Sequence, residues 1–187
     1  MWRLNAKQLR ELEEKKAQGD VHKVKRNPIY FILENIYDTY NIGGLFRLAD
    51  AIAVEKIYLC GEMEIPPNTR IKKASLGTYK VVPWEYKKTA KEAIDDLNSN
   101  LFRASDFGFR ISIIAVEQHP KSTDYRKTDY RLPLALVFGN ESYGVTPETL
   151  ELVDQIVEIP MFGINKSLNV IVSAAIASYW ILNKLNA

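Results

Sequence analysis

Three short stretches of this sequence combine amide, carboxylate, hydroxyl or guanidinium side chains with closely spaced glycines. In NIYDTYNIGGLFRLADA, Asn41 precedes the Gly43-Gly44 pair, and Arg47 follows six residues after Asn41, inside the start of an expected helix. Glycines before a helix let a backbone or a phosphate approach its N-terminus, where free N–H groups and the helix dipole favour anions. An ordinary turn followed by a surface arginine would read the same way. In VFGNESYGV, the apolar run LALVF ends directly in Gly139, Asn140 and Glu141, with Gly144 beyond. A carboxylate at the C-terminal end of a strand beside glycines can orient a base or face a cationic group, and a plain polar turn is the alternative. In EIPMFGINKSLNV, a strand ends at Ile159 and Pro160, a glycine-containing loop follows, and Ser167, Leu168 and Asn169 open the last helix. Ser167 there is either a helix cap or a hydrogen-bonding group of a site.

The elements that position these loops have the rhythm of a parallel α/β sheet. From Asn27 onward, the runs PIYFIL, KIYLC, VVPWEY, RISIIAV, LALVF and QIVEI are bounded by turn residues and separated by helical patterns. GEMEIPPNTRIKK reads as a surface loop. A helix is expected near Thr89 to Ser105, with Ala90, Ala93, Ile94 and Leu97 inward. The last element, about Ser167 to Leu185, carries an apolar stripe of Leu168, Ile171, Val172, Ala175, Tyr179 and Leu182, with Ser173, Ala174, Ala177 and Ser178 keeping it slim. Its polar residues and modest length argue for a buried closing helix over a membrane span, which needs about 20 apolar residues. In open parallel sheets, ligands bind beyond the carboxyl ends of the strands, and all three chemical loops fall there.

With 187 residues, 47% hydrophobic and 26% charged, the chain suits one domain with a full core. One cysteine and two histidines exclude an intramolecular disulfide and disfavour a thiolate or histidine metal site; Cys60 reads as a small buried hydrophobe. The opening MWRLNAKQLR lacks the apolar core of a signal peptide, so a cytoplasmic address is expected. Trp2, Leu9 and Leu12 mark a helix to about Gln18, stopped by Gly19-Asp20. Residues 1–26 hold eight basic and four acidic side chains, against 17 and 19 in the remainder. This organisation gives a basic helical extension over 1–26 and an α/β domain over 27–187, and the extension either contacts RNA phosphates or is a solvated face.

Taken together, N-x5-R after the first strand, FGNE-x2-G, and IPM-x5-SLNV about 20 residues later resemble, in order and spacing, the three signature motifs of SpoU (TrmH-like) RNA methyltransferases of the SPOUT superfamily. The resemblance covers roughly Asn27 to Leu185. It implies a mostly parallel sheet flanked by helices, a C-terminal deep trefoil knot, and a homodimer whose active sites form at the subunit contact. It further implies that S-adenosyl-L-methionine is held by the backbone around Val116, Gly139, Asn140, Ile159, Met161 and Leu168, with Asn41, Arg47, Glu141, Ser167 and Asn169 as the catalytic cluster. After SLNV, Ile171 stands where the family usually has a small or hydroxylated residue, and it is expected to face the core.

The implied reaction moves a methyl group from S-adenosylmethionine to a ribose 2'-hydroxyl in tRNA or rRNA, with no metal and no membrane. The hydroxyl is a poor nucleophile, so its proton must leave or its developing charge must be stabilised. The family assigns this task to the arginine here numbered Arg47. Guanidinium has a pKa above about 12, which favours Arg47 positioning a phosphate and stabilising the alkoxide over acting as a literal base; Glu141 would orient Arg47 or other donors. Two readings compete: a noncatalytic RNA-binding or assembly factor that keeps the fold, and a SPOUT base methyltransferase. Pyrimidine C5 methylation through a cysteine adduct is disfavoured because Cys60 lies outside the three loops. An oxidoreductase is disfavoured because no G-x-G-x-x-G follows a strand.

Overall fold

The computed structural model describes residues 24–104 and 110–185. In chain order the elements are β1 (Asn27–Glu34), α1 (Thr39–Ala51), β2 (Val54–Cys60), α2 (Thr69–Ser75), a 3-10 turn (Thr78–Lys80), β3 (Trp84–Lys87), α3 (Ala90–Ala104), β4 (Ser112–Val116), β5 (Thr123–Asp124), β6 (Leu134–Phe138), α4 (Pro147–Leu150), β7 (Gln155–Glu158) and α5 (Val170–Leu185). The strands form one sheet in the order β3-β2-β1-β6-β4-β7-β5, with every pairing parallel.

A parallel sheet is covered on both faces, which is why its strands read as near-continuous apolar runs. Side chains alternate across it, so each strand feeds two cores. Ile29, Phe31 and Leu33 of β1, with Leu134, Leu136 and Phe138 of β6, lie in a core closed by α1, α2 and α5. Ile32 of β1, with Ala135 and Val137 of β6 and Ile113 and Ala115 of β4, lies in a second core under α3. Phe31 and Phe138 meet edge to face at 5.2 Å in the first. Each fully buried Leu, Ile or Phe stabilises by about 1.5–3 kcal/mol; Leu136→Ala, at the sheet centre, would cost about 2–5 kcal/mol.

Helix α3 buries Ala90, Ala93, Ile94 and Leu97, as the periodicity predicts. It starts with two capping bonds: Thr89 Oγ1 accepts from Glu92 N–H at 3.2 Å, and the Glu92 carboxylate accepts from Lys88 N–H at 3.0 Å.

Three local expectations are corrected. Gly43-Gly44 does not precede a helix, because α1 begins at Thr39, where the Asp38 carboxylate caps it by accepting from Tyr40 N–H at 2.8 Å. The glycines serve close helix packing instead. A Cβ on Gly43 would stand 2.4 Å from Ala74 Cβ of α2, and one on Gly44 would stand 2.3 Å from Ile171 Cδ1 of α5. The bulk of Ile171 is thus accommodated by a missing side chain on α1. Second, the stretch read as a loop contains α2, whose N-cap Asn68 accepts from the N–H groups of Arg70 and Ile71; Pro66 and Pro67 mask this start in the sequence.

Third, α5 starts at Val170 and buries Val170, Ala174, Ala177, Ser178 and Ile181. The slim face packs inward; of the expected stripe, Ile171, Ala175 and Leu182 pack half-buried against the core, while Leu168, Val172 and Tyr179 are exposed. Small residues let a helix sit close to its neighbours, so bulk is not a guide to the buried side here. No helix among the described residues is long and apolar enough to cross a membrane. The expected helix from Trp2 to Gln18 lies outside the described residues. Arg26, the last cation of the basic segment, donates to the carbonyls of Val54 at 2.8 Å and Val81 at 2.6 Å, so it pins the chain to the sheet.

Candidate active site

The parallel registers bring the loops that follow β1, β4, β6 and β7 to one edge of the sheet. Leu33 of β1 pairs with Phe138 of β6, so the segments after Glu34 and Phe138 emerge side by side. A cavity of about 330 Å³ opens there, lined by Val116, Gly139, Asn140, Glu141, Ile159, Met161, Ser167 and Leu168 together with Glu117, Tyr143 and Lys166. It therefore gathers all six residues expected to hold a cofactor, and two of the five expected to form the catalytic cluster. Its volume is within the range of small-molecule sites. Apolar and charged side chains suit a ligand that joins a flat base to a zwitterionic tail, as S-adenosylmethionine does.

The loop between β6 and α4 is built around Asn140. Its backbone exchanges hydrogen bonds with Gly144, at 2.9 Å each way. Its side-chain oxygen accepts from Ser142 N–H at 2.8 Å and Tyr143 N–H at 3.0 Å, and its Nδ2 donates to the Asn35 carbonyl at 2.7 Å. Gly139 is required by close approach, because a Cβ there would fall 2.1 Å from the Gly144 carbonyl carbon. Gly144 has φ 72°, a conformation that favours glycine, and its Cβ would stand 2.3 Å from Glu117 Oε2. Glu117 accepts from Val145 N–H at 2.9 Å and so holds the far end of the loop.

Glu141 joins two loops through donors other than Arg47. It accepts from the N–H groups of Tyr37 and Asp38, at 3.3 Å each, and from Asn41 Nδ2 at 2.9 Å. Asn41 Oδ1 in turn accepts from Asn169 Nδ2 at 2.9 Å, and Asn169 Oδ1 accepts from Ile171 N–H at 2.9 Å. Asn169, not Ser167, therefore caps α5. Ser167 is an exposed member of the cavity wall, with its N–H on Asn165 Oδ1 at 3.4 Å. The structure thus brings Asn41, Glu141 and Asn169 into one hydrogen-bonded chain.

Arg47 stands apart from this chain. Six residues beyond Asn41, it lies about 9 Å further along the helix axis. It is exposed, and it is outside the cavity wall. Tyr40, Gly44 and Arg47 share one stripe of α1, so Arg47 emerges beside the contact with Ile171.

Two acids of this region are absent from the sequence reading. Glu117 directly follows the run RISIIAV, so it carries the same signal as Glu141, a carboxylate at a strand end. Glu34 has no such signal. It is 5% exposed and accepts from Thr146 N–H at 2.8 Å, Thr146 Oγ1 at 3.0 Å and Thr149 Oγ1 at 2.6 Å, fixing α4 behind the cavity loop. Cys60, paired in register with Glu34, is buried, and burial followed by the Glu34 carboxylate pushes its thiol up to about 12. No group of His, Cys, Asp or Glu among the described residues could hold a metal ion.

Comparison with known proteins agrees with this geometry. The profile of the SpoU rRNA Methylase family matches residues 28–179. A tRNA (guanosine(18)-2'-O)-methyltransferase of Thermus thermophilus is 31% identical over 153 residues, spanning 81% of this chain and 73% of that protein. The crystal structure of the Aquifex aeolicus TrmH/SpoU tRNA modifying enzyme superposes with TM-score 0.73 at 25% identity, covering 97% of this chain and 82% of that one. The SpoU methyltransferase AviRb of Streptomyces viridochromogenes, solved in complex with AdoMet, superposes with TM-score 0.77 at 24% identity and shares the fold; the match covers 88% of this chain and 60% of that one.

Proposed function

The chain belongs to the SpoU rRNA Methylase family, and from this we propose that it transfers a methyl group from S-adenosylmethionine to a ribose 2'-hydroxyl of tRNA or rRNA at the cavity beyond β4, β6 and β7. The observation that carries the reading is the convergence of three separate loops on one cavity, tied together through Asn41, Glu141 and Asn169.

The cofactor supplies an electrophilic methyl group and its own leaving group, so alignment is what the protein must contribute. The backbone of Gly139 and Asn140, with Val116, Ile159, Met161 and Leu168, would hold the adenine and ribose. Ser167 and Asn169 would hydrogen-bond the nucleotide or the cofactor. The Arg47 guanidinium, which meets no carboxylate among the described residues, is free to grip the phosphate next to the target ribose and to stabilise the developing alkoxide.

A homodimer accounts for the distance between Arg47 and the cavity. Phe162, Ile164 and Leu168 are exposed on the loop before α5, the first two almost fully, and Val172 and Tyr179 add apolar surface along α5. A second copy seated on this face would complete the site at the subunit contact. We also assign the family's deep trefoil knot to the C-terminal part; in its support, β6 lies between β1 and β4 while β7 lies beyond β4, and α5 returns to α1 at Gly44. Residues 1–26 form the basic extension and 27–187 the catalytic domain, working where its RNA is, in the cytoplasm.

The test is a comparison of 2'-O-methylation across tRNA and rRNA from cells with and without the gene, alongside calorimetric titration of S-adenosylmethionine. One or more lost ribose methylations and a measurable cofactor affinity are expected. An unchanged methylation map with no cofactor binding at millimolar concentration would leave a noncatalytic factor that keeps the fold.

A further inference from the structure

We propose that α2 is the ridge on which the RNA backbone lies, with Arg70, Lys72 and Lys73 binding its phosphodiesters. The proposal rests on the RNA methyl-transfer reading and gives that reaction a docking surface. Helix α2 places three cations among seven residues, TRIKKAS, and contains no acid. All three are exposed, and no carboxylate among the described residues pairs with them. Six cations elsewhere on the body are paired with carboxylates: Lys56 and Lys87 with Glu85, Lys91 with Asp95, Arg110 with Asp154, Arg126 with Asp124 and Arg131 with Asp129. Glu64, the nearest acid before the helix, is engaged by Asn68 Nδ2 at 3.2 Å. A row of unpaired cations is the surface that gains most from releasing counterions off a polyanion.

The position of α2 connects this charge to the active site. The helix is locked to α1 where Ala74 and Ser75 pack on Gly43, with a hypothetical Cβ only 2.4 Å from Ala74 Cβ and 2.9 Å from Ser75 N. Gly43 is two residues from Asn41 and one helical turn from Arg47. Arg70 and Ala74 share a stripe of α2, as do Arg70 and Lys73. A strand gripped by Arg47 at the reacting nucleotide can therefore continue onto α2 without leaving this flank of α1. The basic N-terminal segment is the rival location, but its last cation, Arg26, is already committed to the carbonyls of Val54 and Val81.

The test measures binding of the full chain to unmodified tRNA transcripts and rRNA fragments between about 50 and 200 mM salt, with S-adenosylmethionine affinity and thermal midpoint as checks of the fold. The triple variant Arg70→Ala, Lys72→Ala, Lys73→Ala should lose at least about tenfold in RNA affinity, and its log–log salt slope should become shallower by about 2. The charge-keeping triple variant Arg70→Lys, Lys72→Arg, Lys73→Arg should hold the wild-type slope. An unchanged slope in the alanine variant, while the wild type binds and methylates RNA, overturns the ridge alone. Equal losses in both triple variants overturn it too, by showing a structural effect of α2. A wild type that binds S-adenosylmethionine but methylates no RNA overturns the underlying reading as well.

Discussion

Asn41 donates from Nδ2 to Glu141 Oε1 at 2.9 Å across a sequence separation of 100 residues. A carboxylate can only accept, so this contact decides which way the Asn41 amide faces. Its oxygen must then point at Asn169, whose oxygen in turn receives Ile171 N–H. The direction of every amide in the chain follows from one acid, and the first turn of α5 is bound to the loop after β6 through α1.

Asn41→Asp puts a second carboxylate against Glu141 and removes the donor between them. Methyl transfer should fall at least about 100-fold, and stability should drop by about 1–3 kcal/mol for the unsatisfied, repelling pair. Single-turnover transfer and urea unfolding measure the two effects. Asn41→Ala should cost less stability, because Tyr37 and Asp38 N–H groups still satisfy Glu141; equal behaviour of the two variants would show that the direction of the chain is irrelevant.

Arg47→Ala should leave the thermal midpoint nearly unchanged, since the side chain is exposed, while slowing single-turnover methyl transfer by about 100-fold to 1000-fold. Arg47→Lys should be impaired almost as much, because lysine lacks the forked donors that hold a phosphate and a hydroxyl together. A near-normal rate in Arg47→Ala would remove this residue from the reaction.

Gly44 and Gly139 should respond differently to the same added methyl group. At Gly44 the Cβ meets the end of a side chain, Ile171 Cδ1, whereas at Gly139 it meets the backbone of Gly144 and Val145. Gly44→Ala should cost about 1–3 kcal/mol and regain most of it when combined with Ile171→Ala. Gly139→Ala has no such partner and should abolish cofactor binding in titration calorimetry. Failure of the Ile171→Ala rescue in a double-mutant cycle would contradict the packing of Ile171 on Gly44.

Stability should decline with pH through the window set by the Cys60 thiol. An ordinary thiol titrates near 9 and this one near 12, displaced first by burial and then by Glu34. In the unfolded chain the proton leaves first, so the stabilisation is complete below about pH 9 and is lost as pH rises toward about 12. Between these values Cys60→Ala should reduce the slope of unfolding free energy by up to about 1.4 kcal/mol per pH unit, measured by urea unfolding across alkaline pH. Tyr58 and Tyr130 are also raised, mainly by burial, so a slope from them should persist in the variant.

The kind of fold and the class of chemistry were legible in the residues alone. A strand buried on both faces must be continuously apolar, which made PIYFIL, LALVF and RISIIAV legible; the residue types and spacing of three loops carried the resemblance to the SpoU methyltransferases. The sequence also supplied every residue in the hydrogen-bonded chain, as separate polar positions. Which of them meet depends on long-range packing. Asn41 lies 100 residues from Glu141 and 128 from Asn169, and local periodicity contains no term for such distances. Their contact is set by the pairing of Leu33 with Phe138, which starts two loops from neighbouring points. The same limit explains the errors at Gly43-Gly44 and on α5. A glycine pair reads as a turn, and the bulkiest stripe of a helix reads as its packing side, until it is known that α2 and α5 press against α1 closely enough to require the absence of side chains.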